Sequence, residues 1–194
     1  IEMAKQVAQV AEDVRQQTYR VVAHNAILEI ANQLTHFERE GGRQYAAAEM
    51  NKTLNMLEKC KDLLHGQQFR DAVRQAADTK AQLDILVQEL ERVALKKIDK
   101  AQSALNVAKQ SKAERYQNDA FSQALVSLDK AKASLEGEGL RQAIESAIQS
   151  ETLAAEASEK SLSQWTEDER RRCDILLSKA RVAEVLKLWA PPKA

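Results

Sequence analysis

The amino-acid sequence predicts an all-α protein, and three observations lead to this fold class. First, only 4% of the 194 residues are aromatic, while residues that enter helices at low cost, such as Ala, Leu, Glu, Gln, Lys and Arg, are abundant. Second, apolar residues recur at helical spacing. Third, chain breakers are rare, and long helices therefore follow. Gly and Pro occur only at positions 41, 42, 66, 137, 139, 191 and 192.

The first predicted helix covers residues 3–38 and carries two neighbouring apolar stripes. Two adjacent stripes predict burial against two neighbouring helices. Gly41 and Gly42 are expected to end this helix. The first stripe consists of Met3, Val7, Val10, Val14, Val21, Leu28 and Ala31, and the second of Tyr19, Ala23, Ala26, Ile30 and Phe37.

The next three predicted helices follow from the same pattern of apolar stripes between breakers. A second helix covers about 44–65, a third runs from about 67 to 108, and a fourth covers about 115–135. Residues 85–97, in the middle of the third helix, contain no Gly, Pro or cluster of turn residues. We therefore expect the third helix to be continuous.

Two further helices are predicted in the last third of the chain. The fifth begins after Gly139, and its buried stripe includes Ala143, Ala147 and Ala154. The sixth covers about 167–189, with Thr166 as its N-cap, acidic residues in its first turn, and a stop at the sequence "WAPP".

The sequence contains an internal repeat with a period of 71 residues. Shifting the chain by 71 pairs identical residues at ten of the 32 positions from 45 to 76, well above the roughly one in twelve expected for unrelated chains of ordinary composition. The matched pairs are Tyr45 and Tyr116, Leu54 and Leu125, Leu57 and Leu128, Lys59 and Lys130, Lys61 and Lys132, Leu64 and Leu135, Gly66 and Gly137, Arg70 and Arg141, Ala72 and Ala143, and Ala76 and Ala147.

This repeat predicts two tandem three-helix bundles of about 71 residues, and the continuous third helix is expected to join them. The first unit, with an N-terminal helix extension, covers residues 1–89, and the second, with a C-terminal helix, covers 90–194. A single elongated helical bundle is the alternative. Gly66 and Gly137 are expected to form the repeated corner, because glycine reverses a chain without a Cβ penalty.

Two strings in the repeat resemble known helical hairpins. "LLHGQQFRDAVRQAA" (63–77) and "SLEGEGLRQAIESAI" (134–148), with Tyr45 and Tyr116 upstream, resemble tetratricopeptide-like repeats and a bacterial envelope-associated family of helical hairpin repeats. The resemblance covers residues 45–81 and 116–152. It implies scaffolding or protein interaction without catalysis, often in bacteria, and it transfers no functional residue.

Composition argues against several other classes of function. Lys plus Arg and Asp plus Glu both number 29, so no net field draws the chain onto nucleic acid. No apolar stretch is long enough to span a membrane, and no signal peptide is recognised. Cys60 and Cys173 are interpreted as small core residues. Because the chain begins with Ile1, we expect it to be a segment of a larger protein, and either the cytoplasm or a bacterial cell envelope would suit it.

The sequence contains no recognisable catalytic, cofactor-binding or metal site. His24, His36 and His65 lack the partners that a zinc site or a general base requires. The residues that we single out for possible protein interaction are Trp165, Trp189, Arg170, Arg171 and Arg172. The tryptophans have a second interpretation, that they close the ends of a helical core, and the arginines could simply form a solvated helix face.

The sequence thus predicts a non-enzymatic helical-repeat scaffold, spacer or protein-interaction module without cofactors. The alternative is a dimerising coiled-coil segment of a signalling or membrane-proximal protein, paired through Val7, Val10, Val14, Val21 and Leu28. A protein partner is expected under both hypotheses, and a homodimer is possible.

Overall fold

The computed structural model describes residues 2–137 and 139–188 of the chain, and the described residues form seven helices and no strand. The all-α prediction is confirmed, as is the continuous third helix, which is α4. The helices are α1 (Glu2–Arg39), α2 (Gly42–Tyr45), α3 (Ala47–His65), α4 (Phe69–Gln110), α5 (Ala113–Tyr116), α6 (Asn118–Glu136) and α7 (Leu140–Leu188).

The predicted second and fourth helices each divide into a single turn and a longer helix. Ala46 separates α2 from α3 with φ −139° and ψ 47°, and Gln117 separates α5 from α6 with φ −137° and ψ 46°. The residue before each short turn is left-handed, with φ 88° at Gly41 and φ 64° at Lys112. These breaks were not predicted because neither Ala46 nor Gln117 is a helix breaker by composition.

The prediction of separate fifth and sixth helices is wrong, because α7 is continuous from Leu140 to Leu188. Thr166 lies in the interior of α7, where its hydroxyl donates to the carbonyl of Leu162 at 2.7 Å instead of capping a new helix. No Gly or Pro interrupts the chain between these bounds. Acidic residues are compatible with the interior of a helix when an Arg three or four positions later pairs with them.

The explanation offered for the repeated glycine corner is also wrong. Gly66 has φ −74°, a value that any residue adopts, and the left-handed residue is Gln67, with φ 58°. Neither Gly137 nor Gly139 has a positive φ. Gly41 and Gly42 do need their lack of a Cβ. An added Cβ at Gly41 would lie 2.7 Å from the Tyr45 ring, and one at Gly42 would lie 2.8 Å from the Phe37 carbonyl oxygen.

Two compact units are distinguished within the chain, and their boundaries do not follow the chain order. The first unit comprises residues 1–96 and 133–144, and the second comprises 97–132 and 145–194. The predicted boundary at residues 89 and 90 lies seven residues before the change of unit in α4.

The first unit packs α1, α3 and the first part of α4 around a core of large aliphatic side chains. Met50, Leu86 and Leu90 are fully buried in it, and Leu140, at the start of α7, joins the same cluster. A cross-helix ion pair between Lys80 and Glu29, at 2.8 Å, lies on the surface of this unit. The remaining core residues are Ile27, Ile30, Leu34, Ala46, Leu57, Cys60, Ala76 and Leu83.

The second unit packs the last part of α4 with α6 and α7 around much smaller side chains. The hydroxyl of Ser150 donates across the core to the carbonyl of Ala124 at 2.7 Å. Lys132 on α6 donates to Gln102 on α4 at 3.3 Å, so all three helices are linked. The buried residues are Ile98, Ala101, Leu105, Ala108, Ala113, Phe121, Ala124, Ser127, Leu128, Ala131, Ser146, Ala147, Ser150, Ala154, Ala157 and Ser161.

Two burial predictions are wrong. The first stripe of α1 is exposed: Met3 is 79% exposed and Val14 is 61% exposed, because no helix of the first unit lies against this part of α1. Burial on α1 begins at Ala23, which belongs to the second stripe. Cys60 is buried as predicted, whereas Cys173 is exposed.

Candidate interaction surfaces

Two helical segments of the chain expose apolar side chains along much of their length. We call residues 2–22 the α1 segment and residues 162–184 the α7 segment. No residue in either segment belongs to the buried class. Since isolated helices are marginally stable in water without a packed face, both segments are candidate surfaces for a partner.

Five exposed apolar residues of the α1 segment form a stripe along one face of the helix. Their exposed fractions are 79% for Met3, 68% for Val7, 60% for Val10, 61% for Val14 and 56% for Val21. Gln17 and His24 occupy the two gaps in the alternating four- and three-residue spacing, and Leu28, 49% exposed, extends the stripe. An apolar stripe of this period is typical of a helix that pairs with another helix.

The polar face of the α1 segment is held by contacts within the helix. Gln9 donates to Asp13 at 3.0 Å, and Arg15 pairs with Glu12 at 3.1 Å. These pairs lie beside or opposite the stripe and leave the stripe itself uncovered. The α1 segment is therefore amphipathic, with an apolar face that its own unit does not use.

A groove of about 640 Å³ lies where the stripe meets the body of the first unit. Its lining combines polar and apolar side chains, and the groove is open to solvent. The lining residues are Gln17, Arg20, Val21 and His24 from α1, and Leu64, His65, Gln67 and Phe69 from the corner between α3 and α4.

The α7 segment is also apolar in part, but its side chains do not form one stripe. Ile175, Leu176 and Leu177 are consecutive and between 53% and 65% exposed. Because successive helical residues point about 100° apart, these three side chains cover more than half of the helix circumference. Leu162 and Val182 are exposed as well.

The predicted interaction residues Arg170, Arg171 and Arg172 all lie on the α7 segment. Arg171 donates to Glu167 at 2.6 Å, and Arg172 donates to Glu169 at 2.7 Å. Arg170 lines a shallow hollow of about 530 Å³ beside Leu162 and Thr166. Two of the three arginines therefore have local carboxylate partners, as the solvated-face interpretation requires.

The structure describes one of the two predicted interaction tryptophans. Trp165 is 37% exposed, so most of its surface is covered and the rest faces solvent, and both interpretations of this residue stay open. Trp189 lies outside the described residues. Trp165 is three positions from Leu162 and thus on the same side of α7.

A polar contact holds α7 to α5 at the start of the α7 segment. The Tyr116 hydroxyl donates to the Asp168 carboxylate at 3.1 Å, and Gln117 donates to Gln164 at 3.1 Å. Partial desolvation, and then the hydrogen bond to Asp168, raise the pKa of Tyr116 above its usual value. These contacts orient α7 where it leaves the core of the second unit.

The chemically reactive residues do not converge on a site. Burial raises the pKa of the Cys60 thiol, whose sulfur lies 3.3 Å from the Thr79 hydroxyl inside the core. His24, His36 and His65 are exposed. Within residues 2–137 and 139–188, no group of three His, Cys, Asp or Glu residues is placed to hold a metal ion.

No helix in the described part of the chain combines the length and the apolar character needed to cross a lipid bilayer. Comparison with family models, curated proteins and solved structures found no match to this chain. The observations that bear on function are therefore those of the chain itself, foremost the two exposed segments.

Proposed function

We propose that this chain is a non-enzymatic helical-repeat scaffold or spacer that holds protein partners, and that it is a segment of a larger protein. The α1 and α7 segments are the surfaces through which it contacts them. The role agrees with the expectation drawn from the resemblance to tetratricopeptide-like and envelope-associated helical hairpins, in which helices present surfaces and carry no catalytic group.

The observation that carries this proposal is the exposed apolar stripe of the α1 segment. Scattered apolar residues are normal on a protein surface, whereas a continuous apolar face is unusual and typically marks a contact with another molecule. Four of its members, Met3, Val7, Val10 and Val14, lie within 12 consecutive residues and are each at least 60% exposed. Leaving such a face in water is unfavourable by about 25 cal/mol for each Å² of apolar surface.

The spacer part of the role is supported by the two long helices α4 and α7. Each is a single element, of 42 residues and 49 residues, well beyond the average length of about 11–12 residues in globular proteins. Neither helix contains a Gly or Pro, residues at which helices often kink.

A second candidate function is a dimerising coiled-coil segment of a signalling or membrane-proximal protein. The four- and three-residue spacing from Met3 to Leu28 favours it, because this spacing keeps the apolar face directed at a partner helix. The two candidates share the same surface and differ in the partner that covers it.

Site-specific photocrosslinking in the cell of origin tests the interaction role. A photoreactive amino acid is placed at Val14 or Leu176 in the full-length gene product, and at Val126 as a matched control. Val126 is 67% exposed, but the residues three and four positions away from it are polar. We expect discrete protein adducts at Val14 and Leu176 and none at Val126.

Adducts at Val126 without adducts at Val14 and Leu176 would contradict the proposal. Equal labelling at all three positions would mean that the stripe attracts no specific partner. An enzymatic role would instead be favoured by saturable binding of a metal ion or a nucleotide in calorimetry, abolished by substitution of residues in a single pocket.

A further inference from the structure

We propose that two copies of this chain pair through residues 3–28 of α1 as an antiparallel coiled coil, with Val14 of one copy opposite Gln17 of the other. This inference rests on the interaction role proposed above and assigns a second copy of the chain as the partner of the α1 segment. What supports it is the pattern of charged residues beside the exposed stripe.

The stripe supplies one row of core positions that is apolar throughout and a second row in which apolar and polar residues share the positions equally. Coiled coils place core residues at alternating three- and four-residue steps, named a and d. Here every a position is apolar, and three of the four are β-branched. The a positions are Val7, Val14, Val21 and Leu28, and the d positions are Met3, Val10, Gln17 and His24.

Two opposite charges flank the stripe on one side. The residue before each a position is a g residue, and in an antiparallel pair the g residues of the two helices face each other across the apolar core. Asp13 and Arg20 are both g residues. Placing Val14 opposite Gln17 of the second copy brings Asp13 of each copy to Arg20 of the other, so that two ion pairs form by symmetry.

The same charges disfavour the other alignments. Sliding one helix by seven residues in either direction sets Asp13 against Asp13 of the second copy, or Arg20 against its own counterpart. A parallel pair places Asp13 near Thr18 and Arg20 near Asn25, which offers no ionic attraction. Since like charges at flanking positions oppose association, the charges select one antiparallel register.

The other flank of the stripe is compatible with close packing. Ala4 and Ala11 occupy the e positions there, and in the proposed register they face Asn25 and Thr18 of the second copy. Small residues at flanking positions allow two helices to approach closely. No charge of either copy is trapped on this side.

The groove of the first unit gives the second copy further contacts. In the proposed register, Val10 and Val7 of the second copy lie opposite Val21 and His24. These two residues line the groove of about 640 Å³ that also includes Leu64 and Phe69. The ends of the coiled coil would therefore contact the body of each subunit.

Sedimentation equilibrium of the whole chain tests the pairing. The wild type should be a dimer, and Val14→Asp should raise the dissociation constant by at least about tenfold, because it places a charge in the apolar core. Val126→Asp, at an equally exposed site outside the stripe, should leave the constant unchanged. A monomeric wild type would overturn the proposal.

Charge exchange tests the antiparallel register. Asp13→Arg and Arg20→Asp should each raise the dissociation constant roughly tenfold, since each sets like charges together twice. The double variant restores both ion pairs and should return to within about twofold of the wild type. Equal weakening by the double variant would contradict the register, and circular dichroism checks that each variant remains helical.

Cysteine crosslinking gives a second test of the orientation. In a Cys173→Ser background, which removes the exposed native thiol, an oxidised mixture of Val14→Cys and size-tagged Gln17→Cys chains should form the mixed disulfide dimer. Val14→Cys alone should form none. A homodimer from Val14→Cys alone would show a parallel pair and overturn the proposal.

These tests separate this inference from the interaction role. A photocrosslink from Val14 to a different protein, combined with a monomer in sedimentation, would overturn self-pairing and leave the interaction role standing. Failure of both experiments would refute both proposals.

Discussion

The two units of this chain share the same helix boundaries but differ in what fills their cores. Helix α3 (Ala47–His65) and helix α6 (Asn118–Glu136) begin and end 71 positions apart, as do the short helices α2 and α5. Helices α4 and α7 also start 71 positions apart, at Phe69 and Leu140. Turn geometry is shared too, since Ala46 and Gln117 have nearly the same φ and ψ.

The cores at equivalent positions are built from different volumes. Leu83, Leu86 and Leu90 are at most 4% exposed in the first unit. Their equivalents 71 positions later are Ala154, Ala157 and Ser161, all 0% exposed in the second unit. Because interhelical distance depends on the side chains at the contact, the second unit needs closer helices than the first. The comparison teaches that helix boundaries and core volume are set independently.

The largest expected effect on stability comes from a substitution at the centre of the first unit's core. Leu86→Ala makes this position resemble its equivalent in the second unit, but the surrounding helices are spaced for leucine and leave a cavity. We expect a loss of about 3 kcal/mol in the free energy of unfolding, measured by urea denaturation. Leu95→Ala, at a 52% exposed position of the same helix, is the control and should cost under about 1 kcal/mol.

The reciprocal substitution probes the second core. Ala157→Leu introduces a larger side chain at a fully buried position, and it should lower stability by about 2 kcal/mol. Ala155→Leu, on the exposed face two residues earlier, should change stability little. If Ala157→Leu were tolerated without loss, the second unit would not be the more closely packed of the two.

A smaller effect on stability is expected at the left-handed residue that precedes each short helix, α2 in the first case and α5 in the second. Gly41 adopts φ 88° at no steric cost, whereas Lys112 adopts φ 64° at the equivalent position. Lys112→Gly removes this strain and should stabilise the protein by about 1 kcal/mol. Lys100→Gly, in the interior of α4, should instead destabilise it by about 1 kcal/mol. A destabilising Lys112→Gly would show that the lysine side chain compensates for the strain.

The smallest expected effect concerns a buried hydroxyl. Ser161 is 0% exposed, and its hydroxyl has no hydrogen-bond partner among the described residues. Ser161→Ala removes an unpaired polar group, and we expect a gain of about 0.5 kcal/mol. Ser163→Ala is the matched control, because Ser163 is exposed and donates to the carbonyl of Glu159. Destabilisation by Ser161→Ala would indicate a bonded hydroxyl.

Sequence analysis predicted the helical content and the 71-residue offset because both depend on the local chain. Gly41, for example, follows the end of α1 and adopts a left-handed φ of 88° through its own backbone preference. The wrong prediction of a new helix at Thr166 also has a local cause. Thr166 and the acidic residues after it match an N-cap sequence, but no Gly or Pro ends the preceding helix. A Thr that bonds back to the carbonyl four residues earlier is compatible with an unbroken helix.

The candidate surfaces were harder to predict. The stripe from Met3 to Leu28 was visible in the sequence, but apolar periodicity is the same whether a helix is covered by its own chain or by a partner. The α7 residues Arg170, Arg171 and Arg172 were selected by composition, and the structure places local carboxylate partners beside two of them. Asp13 and Arg20 were overlooked because their roles depend on knowing that the stripe is exposed.

By itself, the amino-acid sequence determined that the chain is helical, where most helices begin and end, and that one pattern occurs twice. These properties follow from interactions within a few residues of each position. Only the tertiary structure decided that Cys173 is exposed, that Ser161 is buried, and that the part of the first α1 stripe from Met3 to Val21 is uncovered. Burial depends on which distant helix packs against a face, and that contact is not encoded in the face alone.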